Sequence, residues 1–237
     1  QGHPSAIDIM ANYMRHENII IPVKAVFTTS ENLYPDQREN IEMQFQTKVF
    51  DTYGMGEMVA MASECVTHNG YHLAPEYGYT EIINAEKYES GCGEIISTSL
   101  YNYVMPLIRY SVGDIGKISN KKCECGVNFD KLEKISGRID DVIKLDNGKI
   151  ILPLSIRIEM KNIGINDFQI IKTDNNSFDV NLFNVSNDKN IKYLENKIRK
   201  VLFGLLDNSV NLCFYYDKEP ILTKNGKIQM IINSRHY

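Results

Sequence analysis

The chain has 237 residues, 43% of them hydrophobic and 24% charged, enough for one large domain or two modest ones with a sizeable core. With a net charge of -4 nothing points to a nucleic-acid surface, and no apolar run approaches the roughly 18 residues of a membrane span. Five cysteines are too few and too uneven for a disulfide framework and suit a reducing compartment, so a cytoplasmic protein is expected.

Pro4 and Ser5 open a helical pattern carried by Ile7, Met10 and Met14. Residues 23–28 read as a strand. Pro35 and Asp36 start a second helix with Ile41 and Phe45 on one face, and residues 48–53 read as the next strand. This β–α–β rhythm predicts a parallel sheet. From Tyr71 the texture changes to short β-type runs at 79–84, 94–99, 106–110 and 116–119, an antiparallel section. A second change comes at residues 137–141. Two short strands then flank Asp146-Asn147-Gly148, a hairpin signal. Strands follow at 167–173 and 178–183. Residues 190–206 form the clearest helix, with Ile191, Leu194, Ile198, Val201, Leu202 and Leu205 on one face, and 210–216 is a last strand.

Four short motifs carry possible chemistry. In 51–58, DTYGMGEM, Gly54 and Gly56 allow close approach of a ligand, Tyr53 offers a flat face, and Glu57 an oxygen ligand for a hard cation. In 109–114, RYSVGD, Asp114 can accept two hydrogen bonds from a ribose diol. In 137–141, GRIDD, Arg138 can reach a phosphate or ribose, and Asp140 lies where a hinge would be. In 223–228, TKNGKI, Lys227 can bring a point charge to a phosphate or carboxylate. Taken singly, each also reads as ordinary structure: a strand-to-helix turn with one exposed Glu, a turn aspartate, a surface Arg–Asp pair, a solvated lysine.

Their order is the stronger signal. Tyr-Gly-x-x-Glu, Arg-Tyr-x-x-Gly-Asp, Gly-Arg-x-Asp-Asp and Thr-x-x-Gly-Lys, in that order, resemble the adenylate-forming superfamily. Within it the chain resembles the phenylacetate–CoA ligase family and its capsular polysaccharide biosynthesis (CapK-like) branch, through stretches such as VKAVFTTSENLYPDQRENIE, GYHLAPEYGYTEI and ISGRIDDVI. The resemblance runs over nearly the whole chain and thins in the tail. It implies an α/β and α+β fold: the end of an adenylate-forming large domain, with a parallel sheet plus a β-barrel-like section, over residues 1–137. A hinge at 138–141 and a small mobile α+β C-terminal domain at 142–237 follow.

The resemblance also implies roles. Thr29, Ser30 and Glu31 match the loop along the adenine, Tyr53 with Gly54 the stacking turn, Glu57 the Mg²⁺-associated glutamate, and Asp114 the ribose-binding aspartate. Arg138 matches the arginine near ribose and phosphate, Asp140 the hinge residue, and Lys227 the lysine on the acyl and α-phosphate oxygens. Cys65, His72, Cys123 and Cys125 fall in the family's Cys…Gly-x-His…Cys-x-Cys-Gly pattern, a Cys₃His set suited to a structural Zn²⁺. Buried free thiols and a surface histidine are the plain alternative, and His68 is a rival ligand. Cys92 and Cys213 have no partner in the pattern, and Cys213 is expected in the core.

The expected activity is an ATP-dependent acid–thiol ligase: a small carboxylic acid, ATP giving an AMP adduct, and coenzyme A as acceptor. No Ser/Thr/Gly-rich triphosphate loop stands in these 237 residues, and Gln1 reads as a cut through a domain. The expectation is therefore a C-terminal part, as a fragment, one half of a split enzyme, or a relative that has lost catalysis. Its partner would be the missing N-terminal half or, through the uncovered apolar surface, a second copy in a homodimer. The competing expectation is a zinc-stapled, non-catalytic module that binds AMP or a partner chain.

Overall fold

The computed structural model describes residues 1–88, 91–183, 191–222 and 229–233. The chain divides into two compact units, Gln1–Ile135 and Ser136–Tyr237. Residues 138–141 therefore lie near the start of the second unit.

In the first unit, helix α1 (Pro4–His16) starts on a proline whose fixed φ and missing N–H suit a first turn. Ile7, Ala11 and Met14 form its packed stripe, whereas Met10, expected on that face, is 49% exposed. Strand β1 (Val26–Thr29) begins at Val26 rather than Val23. Helix α2 (Pro35–Phe45) and strand β2 (Val49–Gly54) follow, and β1 pairs with β2 in parallel, Thr29 opposite Thr52. Ala11, Met14, Val26, Ile41, Phe45 and Val49 bury one apolar cluster between these helices and strands.

Past Gly54 the chain turns into another strand, not a helix. Strands β3 (Met61–Glu64), β4 (Tyr71–Leu73), β5 (Gly78–Ile83), β6 (Gly93–Ser99), β7 (Tyr110–Ser119) and β8 (Lys131–Arg138) extend the same sheet in the order β1-β2-β3-β4-β8-β7-β6-β5. The pairs β2–β3, β3–β4, β4–β8, β5–β6 and β6–β7 are antiparallel. The predicted parallel sheet is thus one parallel pair at the rim of a mixed sheet. Of the runs predicted at 106–110 and 116–119, the second lies in the single strand β7, which begins at Tyr110 and leaves 106–109 outside it. Arg109, at φ 49, breaks the extended path just before it.

The second unit holds the hairpin of β9 (Ile143–Lys144) and β10 (Ile150–Ile151) around the predicted turn, with Gly148 at φ 82 as such a turn requires. Helix α3 (Pro153–Asn162), not foreseen, buries Pro153, Ile156 and Met160. Strands β11 (Phe168–Asp174) and β12 (Ser177–Leu182), helix α4 (Ile191–Leu205), and strands β13 (Asn211–Tyr216) and β14 (Ile231–Asn233) complete it. The sheet order is β13-β12-β11-β14. Leu194, Ile198 and Leu202 of α4 pack with Phe178, Val180 and Leu182 of β12 in one core. Cys213, expected in that core, is exposed, because strand alternation turns its neighbour Leu212 inward instead. Among the described residues no helix is long and apolar enough to cross a membrane.

Candidate functional site

Two motifs 61 residues apart meet through one hydrogen bond. Tyr53, at the end of β2, donates its hydroxyl proton to Asp114 Oδ2 on β7 at 2.8 Å. A second bond runs beside it: Tyr110, at the start of β7, donates to Glu57 Oε1 at 3.1 Å. In the sheet order three strands separate β2 from β7, about 19 Å in a flat sheet at about 4.8 Å per step. The sheet therefore curls until these two strands face each other. Thr29–Glu31 leave the sheet at the same end as Tyr53, because β1 and β2 are parallel and in register. Ligands of α/β sheets bind outside the carboxyl ends of parallel strands. Ser30 holds a left-handed φ of 70, and Glu31 Oε2 accepts the Ser5 N–H at 3.3 Å.

The glycines of this turn are not demanded by the fold. A Cβ on Gly54 would meet only the Ala60 carbonyl at 3.7 Å, and one on Gly56 would meet nothing within 4 Å. Room for a Cβ is room for a ligand to approach the backbone. Glu57, on an exposed turn, offers one carboxylate, whose Oε1 accepts from Tyr110. That suits Mg²⁺, which takes one or two protein oxygens plus phosphates, better than it suits a protein-only cation cage.

Arg138 and Asp140 belong to the second unit. The Asp140 carbonyl accepts the Asn233 amide at 2.8 Å, and Asp140 lines a cavity of about 470 Å³ with Lys144, Lys172 and Asn233. Lys227 lies outside the described residues.

Beneath the Tyr53–Gly54 turn lies a buried polar network that the motifs did not reveal. Asp51, register partner of Thr28, is 5% exposed. Its Oδ1 accepts from the Thr28 hydroxyl at 2.5 Å and its Oδ2 from the Tyr71 hydroxyl at 2.9 Å. Its backbone N–H donates to Glu64 Oε2 at 3.0 Å, and Arg38 holds Glu64 Oε1 at 2.6 Å. Burial pushes the Asp51 carboxyl above its ordinary range, against the two hydroxyl donors. Burial and the Asp51 and Glu64 carboxylates also push the Tyr71 phenol up, so it stays a donor. The available signal was the alternation of β2, which puts an acid on the same face as Val49 and Tyr53.

The four predicted metal ligands converge. Cys65 follows β3, His72 is on β4, and Cys123 and Cys125 lie in the turn between β7 and β8; their ligand atoms all fall within 4.8 Å of one another. Cys65 Sγ stands 3.6 Å from Cys123 Sγ, and Cys125 Sγ stands 3.3 Å from His72 Nε2. A tetrahedral Zn²⁺ with Zn–S bonds of about 2.3 Å needs ligand atoms about 3.8 Å apart, so the four atoms fit such an ion closely. The Thr67 hydroxyl and the Cys125 backbone N–H pull the Cys123 thiol down to about 6, the deprotonated form a metal requires. Gly70, at φ 90, lets β4 pass against β8, where a Cβ would run into the Leu132 carbonyl. His68 is engaged elsewhere, 3.4 Å from Glu64 and tilted against Phe50. His72 Nδ1 is buried with no hydrogen-bond partner among the described residues, so the ring's polar contact is through Nε2 toward the sulfurs.

No protein-family model matches the chain. Over 242 residues it is 25% identical to Protein CapK of Staphylococcus aureus, an alignment covering 98% of this chain and 52% of CapK. Over 113 residues it is 26% identical to the phenylacetate–coenzyme A ligase of Thermus thermophilus, covering 45% of this chain and 25% of that enzyme. The chain is homologous to CapK and to the phenylacetate–coenzyme A ligases. It spans about half the length of CapK and a quarter of the ligase. Among solved structures, 2-hydroxyisobutyryl-CoA ligase in its postadenylation state, in complex with R3-HIB-AMP, superposes with a TM-score of 0.75 at 20% identity, covering 99% of this chain and 54% of that one. The anthranilate CoA ligase AuaEII in complex with anthranoyl-AMP gives 0.64 at 12% identity, covering 96% and 47%. At such identities the likeness is one of fold: the mixed α/β fold of adenylate-forming ligases.

Proposed function

We propose that the chain forms the C-terminal part of an ATP-dependent carboxylate-activating ligase, an acid–thiol ligase of the phenylacetate–CoA type. A carboxylate oxygen attacks the α-phosphorus of ATP, the bond to the bridging oxygen breaks, and pyrophosphate leaves with the electron pair. The coenzyme A thiolate then attacks the acyl carbonyl, and AMP leaves. In this reading the chain binds the nucleoside half of the substrate. Tyr53 stacks on the adenine beside the backbone of Thr29, Ser30 and Glu31, and Asp114 takes the ribose hydroxyls. Mg²⁺ at Glu57 would offset phosphate charge. Arg138 and Lys227 bring positive charge to the phosphates from the second unit, with Asp140 at the hinge between half-reactions. Zinc in the Cys₃His cluster is structural, since four protein ligands leave no open position. The kinship with CapK suggests a setting in capsular polysaccharide biosynthesis.

The Tyr53–Asp114 hydrogen bond carries this reading. It couples the stacking residue to the ribose acceptor, orienting the carboxylate before the ligand arrives. Calorimetry with AMP tests it. Tyr53→Ala is expected to weaken AMP binding by about 1–3 kcal/mol, about 5- to 150-fold, the usual worth of one base stacked on an aromatic ring. Equal affinity in the two proteins overturns the assignment.

A further inference from the structure

The metal cluster and the nucleotide strand are joined by side chains that neither site needs for itself. Glu64 and Tyr71 are the immediate neighbours of the ligands Cys65 and His72, and they face each other across β3 and β4. Both reach one residue, Asp51: Tyr71 through its hydroxyl at 2.9 Å, Glu64 through the Asp51 N–H at 3.0 Å. Asp51 lies two residues before Tyr53 on the same face of β2, and its other oxygen holds Thr28, the residue before Thr29. One buried carboxylate thus clamps β1 and β2 to the hairpin that the cluster closes.

The geometry points to Asp51 and Tyr71 as positioning residues that couple metal occupancy of the Cys₃His cluster to AMP affinity. The inference rests on the nucleotide reading above. With the cluster filled, the β3–β4 hairpin is fixed, Tyr71 and Glu64 are held on Asp51, and Tyr53 and Thr29 are presented in register. With it empty, the hairpin is released at both Cys65 and His72, and the clamp slackens without losing any residue that would touch the nucleotide. Coupling between two sites is reciprocal, so AMP must tighten metal binding by the factor by which metal tightens AMP binding.

The test uses cobalt(II) as the metal, read by its thiolate absorption, and AMP, read by calorimetry, on the 237-residue chain. In the unaltered chain cobalt is expected to raise AMP affinity about tenfold, within the usual 5- to 150-fold range, and AMP to raise cobalt affinity equally. In Tyr71→Phe, which keeps the ring and removes the hydroxyl, cobalt affinity measured without AMP is expected to stay within about twofold. The coupling factor should fall toward one. A purely structural Tyr71 would lower stability and leave that factor intact, which overturns the proposal. So does a factor of one in the unaltered chain, a result independent of how well the variant folds. No AMP binding to the cobalt-loaded chain instead overturns the nucleotide reading, and the coupling falls with it.

Discussion

The two units bury their side chains on different plans. Among the described residues of the second unit one cluster of eighteen buried residues, from Ile143 to Ile231, packs β11, β12, β13 and β14 against α3 and α4. The first unit is longer, yet its clustered buried apolar residues, among those described, fall into two groups of six, one around Ile41 and one around Ile95. Between them stand the Thr28–Asp51–Tyr71 hydrogen bonds, the Arg38–Glu64 pair and the Cys₃His cluster. A single apolar core is insensitive to pH and metals. Small cores joined by ionisable groups and a metal site hand part of their stability to the solvent's composition.

Metal removal should separate the two plans most widely. Chelation, or Cys65→Ser, is expected to destabilise the first unit by about 4 kcal/mol or more, since loss of a metal is among the few single changes that large. Hydrogen exchange should show amides of β3, β4 and β8 losing protection while those of β11 and β12 keep theirs. Equal loss in both units would mean that the metal does not serve the first alone.

The mirror experiment is Ile198→Ala, which opens a cavity in the apolar core. It should cost about 3 kcal/mol and fall on the second unit, with cobalt affinity unchanged. A smaller difference is expected from Asp51→Asn. The folded-state pKa of Asp51 is raised, so the native state binds more protons than the unfolded chain above the ordinary aspartate pKa. Stability contributed by this group is therefore present at low pH and declines as pH rises toward the folded pKa. The asparagine variant should lose that slope and keep every other pH dependence, as seen in the difference of denaturation midpoints from pH 4 upward. Cys213→Ser should do least, within about 0.5 kcal/mol, because the thiol faces solvent.

Sequence legibility also differs between the units. In the second, period-2 and period-3.6 patterns located β11, β12, β13, α4 and the Asp146–Gly148 turn, since burial there follows hydropathy alone. Cys213 was misplaced for the same reason: a small apolar residue in an alternating strand signals its strand better than its face. In the first unit the β–α–β opening was legible, but Tyr71–Leu73 and Lys131–Arg138 were not. A three-residue strand and one with four charged residues have no hydrophobic period to read, and only pairing makes them strands. The Cys₃His cluster was legible as a family pattern rather than as geometry, because Cys-x-Cys is tighter than common zinc spacings. The Asp51 network was not legible, since its members come from five separate segments and each alone looks like an ordinary polar residue.

The left-handed Ser30 has a consequence of its own. Holding a residue with a side chain at φ 70 costs about 1–2 kcal/mol, which the neighbouring strand pairing must sustain. Glycine there would remove that cost but enlarge the unfolded ensemble by about half as much, about 0.5–1 kcal/mol. The two changes offset only in part in the folding equilibrium and do not offset at all in the loop, whose freedom simply grows. Selection acting on stability alone would, if anything, favour glycine at position 30. Selection acting on how narrowly the backbone of 29–31 is aimed would favour the strained residue.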